Sequence, residues 1–144
     1  MGQQQLLLLV LGIVIVGLAV VVGIQAFGEN QAKANADALV NDGVRIASDA
    51  QAWKLKPQAF GGGADADGFA GLTLSQLGYS DPYGNLNGTW EFTQNDNAAF
   101  VVQGCNEASG NLVTVTIDAT VEGGTSSESI STSVSTGGCT EATA

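Results

Sequence analysis

The sequence contains no histidine. That removes the commonest general base and metal ligand, and with it Ser-His and Cys-His catalytic pairing. No phosphate-cradling GxxxxGK loop occurs, and no carboxylate pair sits in a recognisable motif. We therefore expect no enzymatic activity and no cofactor. Basic residues are scarce: the four are Lys33, Arg45, Lys54 and Lys56, against 14 acidic residues, for a net charge of -10. From residue 57 onward there is no Lys or Arg at all. Such a surface repels phosphates and anionic lipid heads, so nucleic acid binding by the C-terminal region is not expected. Aromatics make up 6% of the chain, and Trp53, Phe60, Phe69 and Trp90 are too dispersed for an electron-conducting stack. They read as core residues. There are two cysteines, Cys105 and Cys139. Two thiols without histidine are too few for structural zinc, which takes four N or S ligands. A disulfide formed in an oxidising compartment is the better reading, with two buried free thiols as the alternative.

What the chain does have is an uninterrupted apolar run. Residues 6–27 hold no charge and no proline, and only Gln25 is polar. As a helix, these residues span about 33 Å, the thickness of a bilayer core. A helix apolar all round belongs in lipid or at the centre of an assembly. The run exceeds the usual signal-peptide length and lacks a basic n-region. The nearest basic residues follow it, which on charge bias alone places the following domain in the cytoplasm. The cysteine pair and the acidic, Ser/Thr-rich C-terminal region argue for the outside, and we favour the outside.

Beyond Phe27 the pattern turns amphipathic. Ala36, Leu39, Val40, Gly43, Ile46, Ala47, Ala50 and Trp53 recur at three-and-four spacing, which is one helical face. Asp37, Asn41, Asp42, Arg45, Ser48 and Asp49 fall on the other side, with Asp42–Arg45 and Arg45–Asp49 spaced for ion pairs. Pro57 ends the ladder and disfavours helix at Lys56. The spacing predicts one helix over residues 3–55, with Gly28 as a bend point. Gly61 to Gly63 read as a flexible hinge, and residues 64–87 as loop with one short helix, capped by Thr73 and ended by Gly78.

The last third alternates. Strands are expected over 89–94, 99–104, 112–121 and 127–134, separated by the turns Asn95-Asp96-Asn97, Ser109-Gly110 and Gly123-Gly124. They form a four-stranded antiparallel meander whose apolar face is covered by the amphipathic helix. Cys105 follows the second strand and Cys139 the fourth, at one end of the sheet but with a strand between them. A direct span is about 10 Å, beyond disulfide reach, so the Gly137-Gly138 tail must fold back. The fold class is therefore α+β. The parts are residues 1–28, the apolar helix half; 29–56, the amphipathic half; 57–88, loop with a short helix; and 89–144, the sheet with its disulfide-closed end.

This arrangement resembles a type IV pilin. The likeness covers the whole chain in architecture and is most specific in MGQQQLLLLVLGIVIVGLAVVVGIQAF. It implies a precursor held in the inner membrane, processed near a glycine, with Gly2 and Gln3 as the candidate positions. It implies export by a membrane assembly machinery into an extracellular helical filament of identical subunits. Leu6, Leu7, Val10, Leu11, Ile13, Val14, Gly17, Leu18, Val21, Ile24 and Phe27 are then the filament-core residues. The sequence departs from the family in three ways. Only Met1 and Gly2 precede Gln3, where a basic leader is usual. Gln3, Gln4 and Gln5 stand where a glutamate is common. The apolar half lacks proline, leaving Gly12, Gly17, Gly23 and Gly28 as its soft points. Their spacings of 5, 6 and 5 do not form a GxxxG dimer signal.

Two other readings compete: a low-copy pseudopilin of a secretion or uptake machine, and a single-span anchored domain that binds a ligand. A monomeric anchored domain more often has a polar linker where this chain continues as amphipathic helix. Among weaker signals, Asn87-Gly88-Thr89 matches the N-glycosylation sequon, and the Ser/Thr residues of 125–136 could carry O-linked sugar. Asp65 and Asp67 faintly suggest calcium but lack the EF-hand pattern, and an ordinary solvated loop is favoured.

Overall fold

The computed structural model describes residues 2–63, 68–96, 99–118, 121–122, 125–126 and 129–139. The protein is α+β. One helix, α1, spans Gly2–Leu55 and continues through Gly28 as helix. The chain divides into two compact units, Met1–Ala34 and Asn35–Ala144. The described part of the first is helix alone.

In the second unit, α1 supplies the face that its sequence spacing predicts. Leu39, Gly43, Ile46, Ala47, Ala50 and Trp53 are buried, and Ala36 and Val40 half-buried. At the end of α1 the Lys56 N–H donates to the Trp53 carbonyl at 3.1 Å, tightening the last turn before Pro57. The glycine triplet expected as a hinge is hydrogen-bonded back to the chain just before it. Gly61 takes φ 77°, and the N–H groups of Gly62 and Gly63 donate to the Pro57 and Trp53 carbonyls at 3.2 and 3.0 Å. A Cβ at Gly62 would collide with the Lys56 carbonyl, and one at Gly63 with the Trp53 ring. Gly62 and Gly63 thus allow close approach of the chain to the end of α1. Two 3-10 turns follow, Gln58–Phe60 and Leu74–Leu77. The second is the expected short helix. The Thr73 N–H donates to Gln76 Oε1 at 3.1 Å at its start, and Gly78 ends it at φ 86°. Phe60, expected in the core, is 73% exposed, whereas Trp53, Phe69 and Trp90 are buried.

The sheet has five strands rather than four. β1 (Tyr83–Gly84), β2 (Thr89–Asn95), β3 (Ala99–Asn106) and β4 (Asn111–Asp118) run antiparallel in order, and β7 (Ser129–Thr136) pairs with β4 at the far edge. The extra strand, β1, is two residues long and hidden in sequence by the turn signals around it. Of the long strand expected over 112–121, β4 is described as far as Asp118, and residues 119–120 lie outside the described residues. Val121–Glu122 (β5) instead pairs with Thr125–Ser126 (β6) as a separate ribbon on the way to β7. The expected Gly123-Gly124 turn lies outside the described residues, as do Asn97, Asp65 and Asp67.

Residue parity decides the two faces of the sheet. Trp90, Phe100, Val102, Gly104, Val113, Val115 and Ile117 turn to the core and are buried. Trp90 is the largest of them, and two glycines make its slot. A Cβ at Gly43 of α1 would lie 2.8 Å from the Trp90 ring and 2.6 Å from Val115 Cγ2, and one at Gly104 of β3 would lie 2.5 Å from that ring. The tight fit leaves Trp90 Nε1 buried without an acceptor among the described residues, a cost of about 1–3 kcal/mol.

The polar flank of α1 is not simply solvated. Asp42 Oδ2 accepts from the side-chain amides of Asn85 (2.8 Å) and Asn87 (2.7 Å), and Asp49 Oδ2 accepts from the Tyr79 hydroxyl at 2.6 Å. These carboxylates thus bond to the loops beside the sheet, a role that their spacing to Arg45 does not reveal. Burial first, then the Asp49 hydrogen bond, pushes the Tyr79 phenol up to about 12.

Two outcomes are expected. Gly43→Leu overpacks the Trp90 slot and should destabilise the domain by about 1–3 kcal/mol in chemical denaturation. The raised Tyr79 pKa should contribute stability that is fully present below pH about 10 and is lost as pH rises toward about 12. A late phenolate absorbance step, missing in Tyr79→Phe, checks this.

Candidate functional site

The residues singled out for assembly lie on the part of α1 in the Met1–Ala34 unit. Leu6, Leu7, Val10, Leu11, Ile13, Val14, Leu18, Val21, Ile24 and Phe27 are all exposed, at values between 51% (Val10) and 73% (Phe27). Successive residues of a helix point about 100° apart, so this set covers about 200° of the cylinder, and Leu8, Ile15, Val16 and Val22, also exposed, cover the rest. α1 is long and apolar enough to cross a membrane, and none of its most apolar window is buried. At roughly 1.5–3 kcal/mol per large apolar side chain, leaving the set in water costs tens of kcal/mol. Gly2 opens α1, with Gln3 in its first turn.

The glycines of this half differ from those of the domain. A Cβ at Gly12, Gly17, Gly23 or Gly28 would meet nothing within 4 Å, whereas one at Gly43, Gly88 or Gly104 would strike neighbouring atoms. Among the described residues no packing requires these four to be glycine, although each weakens a helix by about 0.5–1 kcal/mol relative to alanine.

At the other end of the chain, Cys105 and Cys139 form a disulfide with Cα atoms 5.5 Å apart. The fold-back expected of the tail is present. Gly137 turns at φ 84°, its N–H donates to the Gly110 carbonyl at 2.8 Å, and Gly138 packs beside the Leu112 side chain. Cys105 pairs with Leu112 across β3 and β4. By parity both side chains lie on the face away from the core. The disulfide therefore staples the end of edge strand β7 across β4 to β3.

A polar seam ties α1 to the loops at this same end of the sheet. Asn35 Nδ2 and Asn106 Nδ2 both donate to the Asn87 carbonyl, at 3.2 and 2.6 Å, and the Ser109 hydroxyl donates to Asn35 Oδ1 at 2.8 Å. Asn85 Oδ1 accepts from the N–H groups of Asn87 and Gly88 at 2.9 and 3.1 Å. Asn87, the sequon residue, is half-buried, and the amide nitrogen that would carry a sugar donates to Asp42. The Ser and Thr side chains of β7 are exposed. Sequence reading missed the seam. Its only signal was the clustering of Asn85, Asn87, Asn106 and Asn111 around turns.

Comparison with protein-family models, with curated proteins and with solved structures returned no match. The long apolar N-terminal helix, the antiparallel sheet and the disulfide are compatible with a pilin-like fold.

Paired substitution of Cys105 and Cys139 by serine should cost roughly 3–4 kcal/mol on the chain-entropy model for this loop. Denaturant midpoints with and without reductant, on the unsubstituted chain, should show the same gap.

Proposed function

We propose that this protein is the structural subunit of a type IV pilus-like extracellular filament, polymerising through the apolar half of α1. The observation that carries the reading is an all-round apolar helix segment running without a break into the helix that fills the core of the domain. A flexible tether would suit a monomeric anchored binder. A continuous helix instead suits a subunit whose domain must hold a set position relative to a bundle.

The energetics favour this use. In water the exposed apolar side chains are untenable, so the subunit begins in a membrane, proposed to be the inner membrane, and leaves it only for another apolar environment. Transfer from lipid to a bundle of like helices is nearly balanced, because lipid tails are as apolar as the partner helices. Assembly then needs a membrane machinery, and the product persists because no subunit can leave for water. The glycines fit a bundle better than a lone span, since small residues let helix backbones approach closely. The acidic domain, with no basic residue after Lys56, is suited to a solvated outer surface. No catalytic role is assigned to any residue.

Material sheared from the cell surface should sediment at high speed and contain this chain. Recovery of the protein only in the membrane fraction would sink the proposal in favour of an anchored domain or a pseudopilin. Gly17→Leu combined with Gly23→Leu should leave the domain folded and its disulfide formed while sharply lowering the sheared yield; fibres of unchanged amount and geometry would remove the glycines from the account.

A further inference from the structure

The core face of the sheet is left partly uncovered along β7. Ile130 pairs with Ile117 and Val134 with Val113, so they share the face of those buried residues. Yet Ile130 is 38% and Val134 50% exposed, against 0% for Ile117 and Val113. The setting of α1 explains this. Its Asp42 and Asp49 flank is bonded to Asn85, Asn87 and Tyr79, on the β1 side. Val44, about 200° around the helix from Asp42, lies on the opposite flank and is itself an exposed hydrophobic. Ile130 and Val134 thus leave an apolar strip at one edge of the sheet. β7 itself holds no proline and no charge, and its pairing with β4 is regular over eight residues, so the strand lacks these edge-blunting devices.

The opposite edge carries a matching knob. The turn between β1 and β2 presents Leu86, fully exposed at 102%. Within the turn Asn85 Oδ1 accepts from the Asn87 and Gly88 N–H groups, and the Asn85 and Asn87 side chains bond it to Asp42. Charge narrows what can meet there. Four of the 14 acidic residues precede residue 57; the other ten follow it, with no basic residue among them. Two such domains repel wherever carboxylates face each other. Residues 82–90 hold one charge-free edge and residues 129–136 the other. These edges let two copies touch without opposing carboxylates.

We infer that Leu86 of one copy seats on the Ile130–Val134 strip of a second copy. Knob and strip lie at opposite edges of one sheet, so the contact is heterologous and propagates into a ring or an open helix. The inference deepens the filament reading, and rests on it for holding the copies side by side.

The test is cysteine cross-linking in the full chain at the cell surface, scored beside negative-stain microscopy. L86C with V134C should give a ladder of covalent multimers on non-reducing gels, and each single variant should stay monomeric. Filaments without a ladder overturn the contact. Dimers from either single variant overturn it too, since they report a symmetric contact. A ladder without filaments keeps the contact and refutes the filament reading, and neither ladder nor filaments overturns both. Because new thiols can exchange with the Cys105–Cys139 pair, Leu86→Asp and Val134→Asp provide an independent check. Both sites are exposed, so the native disulfide should form, while fibre yield falls at least ten-fold; unchanged yield contradicts the proposal.

Discussion

The Trp90 indole fits between Gly43 of the helix and Gly104 of the sheet, and the seating of α1 depends on that slot. Any side chain at either glycine would enter the ring's space. With the slot formed, Leu39, Ile46, Ala47 and Ala50 close over Phe100, Val102, Val113 and Val115 as one core. The lateral hydrogen bonds of Asp42 and Asp49 then fix which flank of the helix faces β1. That choice leaves β7 uncovered and exposes Ile130 and Val134.

The same packing settles what the apolar half of α1 lacks. The described sheet has one apolar face, and residues 39–53 of the chain's own helix cover it except along β7. Residues 6–27 are exposed throughout. An apolar cylinder exposed on all sides requires lipid or other copies. The proposed filament follows from that requirement, together with the continuity of helix between the two halves. The disulfide acts at the far end of the chain, holding the edge strand and its tail to β3.

Much of the domain was legible because its periodicities are clean. The three-and-four spacing from Leu39 to Trp53 named the buried face, and the alternation of Val113, Val115 and Ile117 named the core side of β4. The fold-back at Gly137-Gly138 followed from strand geometry. Other features were hidden for physical reasons. β1 is too short for any pattern. The pairing of Val121–Glu122 with Thr125–Ser126 was hidden because their Val and Thr content looks like more of the same strand. Gly61 to Gly63 read as hinge because the sequence does not show Lys56 packed against Gly62 and the Trp53 ring against Gly63. Asp42 and Asp49 read as a solvated flank because their partners, Asn85, Asn87 and Tyr79, lie 30 or more residues away. The exposure of Phe60, Leu86, Ile130 and Val134 is likewise a matter of tertiary cover, which composition does not encode.

The most direct measurement of the central claim is helical reconstruction by cryo-EM of fibres sheared from the cell surface. The account predicts central density that accepts residues 6–27 as packed helices from many subunits, with the Cys105–Cys139 sheet on the outside. Fibres built from another chain, or a core without these helices, would contradict it.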